Sequence, residues 1–313
     1  MDEKLYIIIP VFNEQEVIAK TFELFDKKLQ ELINNKNIGM GSKLIYIDDG
    51  STDDTWKIIN GFKNKSVFVG GARLSCNRGH QNALIAGFSE VVDKCDICIT
   101  IDCDGQDDIN AIDKMIDEYR NGSEIVYGIR EDRKSDTFLK RVTAERYYKF
   151  LEFLGCKVIY NHADYRLMSK RAVQALLQYD ESNLYIRGVI PMLGFKTSNV
   201  EYTRKKRIDG ETHYSITKMM NLALNGITNL SIRPLRIIIL IGIVVVLISF
   251  FFLIWAVYKK LIGDTVSGWS SLVAIVSFLA GVQLLSIGVI AEYVGKIYLE
   301  TKHRPKYFIS ERL

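Results

Sequence analysis

The sequence predicts an α/β fold: a mostly parallel sheet with helices on both faces, followed by a C-terminal two-helix transmembrane hairpin. Three observations predict it. Over roughly the first 125 residues, short apolar runs alternate with segments of helical periodicity. The apolar runs are continuous, as in strands covered on both faces. Near the C-terminus, the stretches between Arg236 and Lys259 and between Asp264 and Glu292 hold no charged residue, and each exceeds the ~20 residues that cross a bilayer.

The elements follow in order. Leu5–Pro10 is a buried strand that ends at a proline. Glu16–Leu32 is a helix, with Val17, Phe22, Phe25, Leu29 and Leu32 on one face. Lys43–Ile47 is a second strand, closed by Asp48-Asp49-Gly50, and Ser51-Thr52-Asp53 opens a helix carrying Trp56, Ile58 and Ile59. Val67–Val69 is a third strand and Gln81–Val92 a helix of small residues. Asp96–Ile101 is a fourth strand, ending in Asp102. Ile109–Tyr119 is a helix and Glu124–Tyr127 a fifth strand. Thr137–Leu154 and Ser169–Leu177 read as further helices, and 195–215 as a strand followed by a basic loop. In a sheet of this kind ligands bind beyond the carboxyl ends of the strands. Pro10, Asp48-Asp49 and Asp102 all lie at such ends.

Composition narrows the function classes. Lysine plus arginine number 41 and aspartate plus glutamate 37, a net charge of +4 over 313 residues. This balance is too mild to point to nucleic acid. With 48% hydrophobic and 25% charged residues the chain is not disordered. The mean hydropathy of +0.05 reflects the two apolar stretches. The five cysteines are an odd set and argue against a disulfide framework. Cys95 and Cys98 have CxxC spacing, but Cys98 falls inside a strand pattern and no second pair follows. Met1–Glu3 is acidic and Leu5–Pro10 short, so no signal peptide is expected there. Arg233 and Arg236 precede the first span and Lys296, Lys302, Arg304 and Lys306 follow the second. The bias places the large N-terminal portion and both termini in the cytoplasm, on the inner (cytoplasmic) membrane, with a multi-pass anchor. The expected divisions are a cytosolic domain at 1–215, a juxtamembrane amphipathic segment at 216–235, two transmembrane helices within 236–292, and a cytosolic tail at 293–313.

Asp102-Cys103-Asp104 is the sharpest chemical signal. Two carboxylates one residue apart, past a buried strand, suit a hard divalent cation that also grips a diphosphate. The alternative is a solvated acidic turn capping the next helix. In Asp48-Asp49-Gly50-Ser51-Thr52-Asp53, a turn and helix cap account for Gly50 onward but leave two strand-end carboxylates, which suit a base or ribose hydroxyls. Asn13 and Glu14, just past Pro10, add polar groups at a neighbouring strand end.

These motifs, in this order, resemble the inverting family-two glycosyltransferases, whose nucleotide-sugar domain has the GT-A (Rossmann-like) fold. Tyr127-Gly128-Ile129-Arg130 with Arg133 is similar to that family's phosphate-contacting YGxR stretch. Asp164-Tyr165-Arg166-Leu167-Met168-Ser169 is similar to its DFRLLS segment, and Arg187-Gly188 matches a further short signature. Arg204, Arg207, Gly210, Glu211 and Tyr214 resemble its RxxRxxGxSKY loop. With the paired spans, the resemblance is to the polyprenyl-phosphate glycosyltransferases, the branch of bactoprenol glucosyltransferases and dolichyl-phosphate-sugar synthases. The chain departs from the pattern at Cys76 and Arg78, at Ile109-Asn110, and at Thr212-His213, where a lysine's fixed charge gives way to a histidine. It has no GxxxxGK[ST] loop, so it is not a P-loop ATPase, and it lacks the QxxRW signature of processive synthases.

The resemblance implies a single-sugar transfer from a UDP-sugar, glucose foremost, onto a polyprenyl phosphate such as undecaprenyl phosphate. It implies Mg²⁺ or Mn²⁺ on Asp102 and Asp104, and Pro10, Asn13, Glu14, Asp49 and Asp102 around the nucleotide sugar. Arg130, Arg133, Arg204, Arg207 and His213 would meet phosphate oxygens. Asp104 and Asp164 would carry the catalysis, Asp164 as base or as an orienting group. An acceptor phosphate is already largely ionised at pH 7, so orientation is the better role. The rival readings are a GDP-mannose-dependent dolichyl- or polyprenyl-phosphate mannose synthase and a membrane-anchored pseudoenzyme that binds a nucleotide sugar without catalysis. Gly242, Gly281, Ser286 and Gly288 offer small-residue surfaces for a homo-oligomer.

Overall fold

A computed structural model describes residues 3–131, 162–181, 184–203, 233–262 and 268–313. Its strands are β1 (Leu5–Val11), β2 (Lys43–Asp48), β3 (Val69–Leu74), β4 (Ile97–Thr100), β5 (Ile125–Arg130), β6 (His162–Ser169), β7 (Thr197–Tyr202) and β8 (Ile309–Arg312). Its helices are α1 (Ile18–Asn34), α2 (Thr55–Phe62), α3 (His80–Val91), α4 (Ala111–Arg120), α5 (Lys170–Leu177), α6 (Ile186–Val189), α7 (Arg233–Leu261) and α8 (Trp269–Glu300). The strands form one sheet in the order β7-β5-β6-β4-β1-β2-β3-β8.

The connections explain that order. From β1 to β4 each strand feeds a helix that carries the chain back, so β1 pairs in parallel with both β2 and β4, and β2 with β3. Strand order reverses at β1, which has β2 on one side and β4 on the other. In open sheets of this kind, such a reversal is where ligands bind beyond the strand ends. β6 runs antiparallel to both β4 and β5, while β5 and β7 are parallel.

Side-chain alternation along β1 divides the core. Leu5, Ile7, Ile9 and Val11 pack with residues of α1, α2 and α4 on one face. Tyr6 and Ile8 pack with residues of α3, α5 and α6 on the other. Both faces are thus covered, as the continuous apolar runs require. Ser169 caps α5, its hydroxyl accepting the Ala172 N–H at 3.1 Å.

α7 and α8 differ from the other helices. Their apolar side chains, Phe250, Phe251, Leu284 and Leu285 among them, are exposed. The segments Arg233–Phe252 and Phe278–Glu300 have mean hydropathies of 3.0 and 1.6 and are long enough to cross a membrane. Apolar residues surround the helices instead of lining one stripe, so no face is set aside for water.

Two boundaries differ from the sequence expectation. The third strand covers Val69–Leu74 instead of Val67–Val69; Gly70 and Gly71 mask it in the sequence. At Gly71 a Cβ would stand 2.8 Å from the Tyr46 carbonyl oxygen, so the strand needs a glycine there. The segment 293–313 is not simply a tail. α8 continues to Glu300, and β8 then joins the sheet antiparallel to β3, pairing Arg73 with Glu311 and Leu74 with Ile309. The juxtamembrane segment expected at 216–235 lies outside the described residues up to Ile232, as does the helix expected at Thr137–Leu154.

Gly87 tests the packing of α3 on the sheet. A Cβ there would lie 2.5 Å from Ile8 Cγ2, a branched methyl held within the sheet. Gly87→Ala gains helix propensity but must displace β1. We expect it to lose about 1–2 kcal/mol in denaturant unfolding, the clash outweighing the helix gain.

Candidate active site

Register brings the sequence motifs together. Val11 lies opposite Asp48, and Ile8 opposite Thr100, so β1, β2 and β4 end at one rim. β6 starts at that rim because it is antiparallel. Thr100 pairs with Arg166, and the Thr100 hydroxyl donates to the Asp164 carbonyl. Asp164, far from Asp102 in sequence, is thereby placed beside it.

The residues just past β1 and β2 form a network of hydrogen bonds. Asn13 adopts φ 54°, a conformation asparagine tolerates. Its N–H donates to Ser51 Oγ at 2.9 Å and its Oδ1 accepts from the Thr52 N–H at 2.9 Å. The Glu14 N–H donates to Thr55 Oγ1 at 3.0 Å. The buried Asp48 accepts from the Ser51 N–H and hydroxyl and pairs with Arg73 Nε at 3.2 Å. Asp49 accepts the N–H groups of Arg78 at 2.7 Å and Gly79 at 2.8 Å. Burial raises its pKa, against these two donors. Asp49 thus holds the β3–α3 loop in place. Gly50 makes this approach possible: it sits at φ 70°, and a Cβ there would come within 2.5 Å of the Cys76 carbonyl carbon.

The acidic motif lies next to this network. Asp104 is buried and accepts from the Gln106 N–H at 3.0 Å. Burial, together with the charges of Asp164, Asp107 and Asp104, pushes the Asp102 carboxyl up to about 6, while His80 pulls the other way. Asp107 accepts from the Tyr202 hydroxyl at 2.6 Å and meets Arg130 at 3.4 Å. Arg130 also donates to Tyr202 at 3.2 Å. It therefore reaches the acidic loop from β5, where the sequence placed a phosphate contact. Among the described residues, no three acidic, histidine or cysteine side chains gather into a ready metal cage. Asp102 and Asp104 supply hard oxygens in an acid-rich loop, a donor set that suits Mg²⁺ or Mn²⁺ completed by diphosphate oxygens and water.

Asp164 is the most heavily paired carboxylate of the rim. Arg187 holds it with Nη2 at 2.7 Å and Nε at 3.1 Å, a two-point grip. Arg166, 1% exposed, donates to it from two residues away, and His80 Nε2 lies 3.2 Å from it. Burial by itself would raise this carboxyl; His80 and the two arginines instead hold it well below the usual range. The same contact raises His80, whose ring remains 42% exposed. A carboxylate so reluctant to take a proton is a poor base and a good anchor.

The sequence motifs assign no site role to His80 or Arg187. Arg187 had a signal, the Arg187-Gly188 signature, without a role. His80 had none beyond its place after Gly79, since the fold alone brings the start of α3 to β6. Cys95 and Cys98 are buried free thiols, their pKa raised by burial, and take no part in the site. Arg133, Arg204, Arg207 and His213 lie outside the described residues.

The Asp164 cluster makes an acid-stability prediction. Its folded pKa lies below its ordinary value of 3.8. Its contribution is therefore full above that value and lost as pH falls below about 4 toward the folded pKa. Asp164→Asn should cost about 3 kcal/mol at pH 7, because the buried Arg166 loses the carboxylate that pairs with it. Its stability should also fall less steeply than wild type below about pH 4. Denaturant unfolding at stepped pH measures both effects.

Residues 6–177 match the model of glycosyl transferase family 2, and residues 233–297 match the GtrB C-terminal hairpin. The chain is 46% identical to the uncharacterized glycosyltransferase YkoT of Bacillus subtilis (strain 168), over 98% of this chain and 91% of that protein. It is 39% identical to a prophage bactoprenol glucosyl transferase homolog of Escherichia coli (strain K12), over 98% of each chain. It is 38% identical to the bactoprenol glucosyl transferase of Shigella phage SfX, over 99% of each. The strand-end motifs, the apolar hairpin and these full-length likenesses agree: the chain belongs to glycosyl transferase family 2 and carries a GtrB-type C-terminal hairpin.

Proposed function

We propose that the protein transfers one glucose from UDP-glucose to a polyprenyl phosphate at the cytoplasmic face of a membrane, inverting the anomeric centre. The observation that carries this reading is the rim itself. Asp102 and Asp104 lie at the end of β4, with Arg130, Arg187 and His80 within electrostatic reach of Asp102. Acidic groups for a metal thus adjoin cationic groups for two phosphates. The named bactoprenol glucosyl transferases among the relatives favour glucose over mannose, and favour catalysis over nucleotide binding alone.

Each residue has a physical task in this reading. Asn13 and Asp49 shape the end of the crevice that takes uridine, with Pro10 and Glu14 beside them. Asp102 and Asp104 would hold Mg²⁺ or Mn²⁺, which offsets charge on the departing diphosphate. Arg130 meets phosphate oxygens from β5, and Arg133, Arg204, Arg207 and His213 are assigned to the same anions. Asp164 fixes Arg187, whose guanidinium orients the incoming lipid phosphate. The acceptor is already a nucleophile near neutral pH, so Asp164 removes no proton.

The anchor fits the acceptor. β8 follows α8 and pairs with β3 of the transferase domain. The chain must therefore leave the second helix on the side where it entered the first, which supports two crossings and a cytoplasmic position for both ends. The divisions at 1–215, 216–235, 236–292 and 293–313 belong to this reading, with β8 assigned to the domain it completes. Small residues along the hairpin are the surface for self-association.

Membranes containing the protein should convert radiolabelled UDP-glucose and undecaprenyl phosphate into a labelled lipid, and EDTA should abolish the product. Asp104→Asn should lower kcat on the order of 100-fold. A lipid labelled only from GDP-mannose, or no labelled lipid at all, would overturn the assignment. For Asp164→Asn, loss of kcat should be equal across pH 5.5–8, a window that spans the phosphate's second pKa of about 6. A loss confined to the acidic end would instead mark a base.

A further inference from the structure

The residues that follow the second membrane helix reach back to the nucleotide end of the sheet. Lys306 Nζ donates to the Tyr179 carbonyl at 3.1 Å and pairs with Asp180 at 3.4 Å, fixing the chain beside the end of α5. The Ser75 N–H then donates to the Phe308 carbonyl at 2.9 Å. Ser75 opens the β3–α3 loop, whose Arg78 and Gly79 N–H groups are the ones bound by Asp49. Beyond it, Ser310 Oγ donates to the Arg73 carbonyl at 3.1 Å, and the Leu313 N–H to the Gly71 carbonyl at 2.9 Å.

Side chains make a second connection. Glu311 accepts from Trp56 Nε1 at 2.9 Å and from Arg73 Nη1 at 3.2 Å. Arg73 uses its other nitrogens on Asp48 Oδ2 at 3.2 Å and on the Ser51 carbonyl at 3.0 Å. Asp48 binds the Ser51 hydroxyl, and Ser51 Oγ accepts the Asn13 N–H. A continuous path of ion pairs and hydrogen bonds thus runs from β8 to Asn13, with the Arg73–Asp48 ion pair as its central link. Arg73 is the branched member. Its planar fork serves Asp48 and Ser51 together, and Glu311 holds the remaining nitrogen of that fork.

We propose that β8, through Glu311, is a positioning element of the donor site: the segment after the membrane hairpin sets the shape of the pocket that receives the nucleotide. The proposal rests on the nucleotide reading of the Asn13–Asp49 end. Glu311 touches no substrate and acts through Arg73. Arg312 supplies an internal control. It lies in the same strand and pairs with Glu90 on α3 at 2.9 Å, an ion pair that does not lead to Asn13 or Asp49.

The test uses the full chain in lipid nanodiscs, with UDP titrated by calorimetry and UDP-glucose and undecaprenyl phosphate varied separately in turnover. Glu311→Gln keeps the shape and an acceptor for Trp56 but removes the charge facing Arg73; UDP should bind about twofold more weakly. Glu311→Ala should weaken UDP about fivefold and raise the KM for UDP-glucose by the same factor, with kcat and acceptor KM unchanged. Arg312→Ala should bind UDP as wild type does. Equal UDP affinity in wild type and both Glu311 variants overturns the proposal. So does an equal loss in Arg312→Ala, which would assign the effect to strand pairing in general. A wild-type protein that binds no UDP overturns the nucleotide reading of the site, and the proposal with it.

Discussion

Asp164 is a carboxylate enclosed by Arg166, Arg187 and His80, and these cations come from three different parts of the chain. Arg166 is nearly devoid of solvent. A guanidinium so buried is tolerable only beside a fixed negative charge. That requirement ties the start of β6 to α6 and to the first residue of α3. Without it, neither Arg187 nor His80 would have a reason to face the acidic rim of β4.

The rest of the site follows from the same economy. Acids collect at strand ends because the parallel strands stop in register, and most of them have a partner. Asp48 has Arg73 and Ser51, Asp49 has two backbone N–H groups, and Asp107 has Tyr202 and Arg130. Asp102 differs: its surroundings add three more acids to the penalty of burial. A cation arriving with a diphosphate would relieve that penalty, whereas it would find Asp48 and Asp49 already engaged. In the proposed reading, Asp48 and Asp49 shape the pocket and Asp102 is the carboxylate that such a cation would relieve.

The apolar hairpin and the proposed donor pocket are joined through β8. β8 closes the sheet edge next to β3, which would otherwise present unpaired backbone groups. It also carries Glu311 to Arg73 and places Leu313 against the core packed around Trp56. An enzyme whose acceptor lies in the bilayer and whose donor comes from water has reason to join its anchor to its donor pocket.

Much of this was legible in the sequence. Continuous apolar runs reveal the doubly covered strands, because burial on both faces leaves no polar alternation to read. Asp102-Cys103-Asp104 and Asp48-Asp49-Gly50 mark the rim, because carboxylates at the end of a buried strand need a partner wherever the chain folds. Uncharged stretches longer than a bilayer is thick declare the hairpin. Tertiary structure alone decided the rest. The antiparallel entry of β6 set Asp164 beside Asp102, and long-range pairing brought His80 and Arg187 to it. The last residues became a strand because β3 offered an open edge. These outcomes depend on which distant segments meet, and local pattern carries no record of that: a lone histidine after a glycine, or a short polar tail after a membrane helix, reads the same whether or not a partner waits across the sheet.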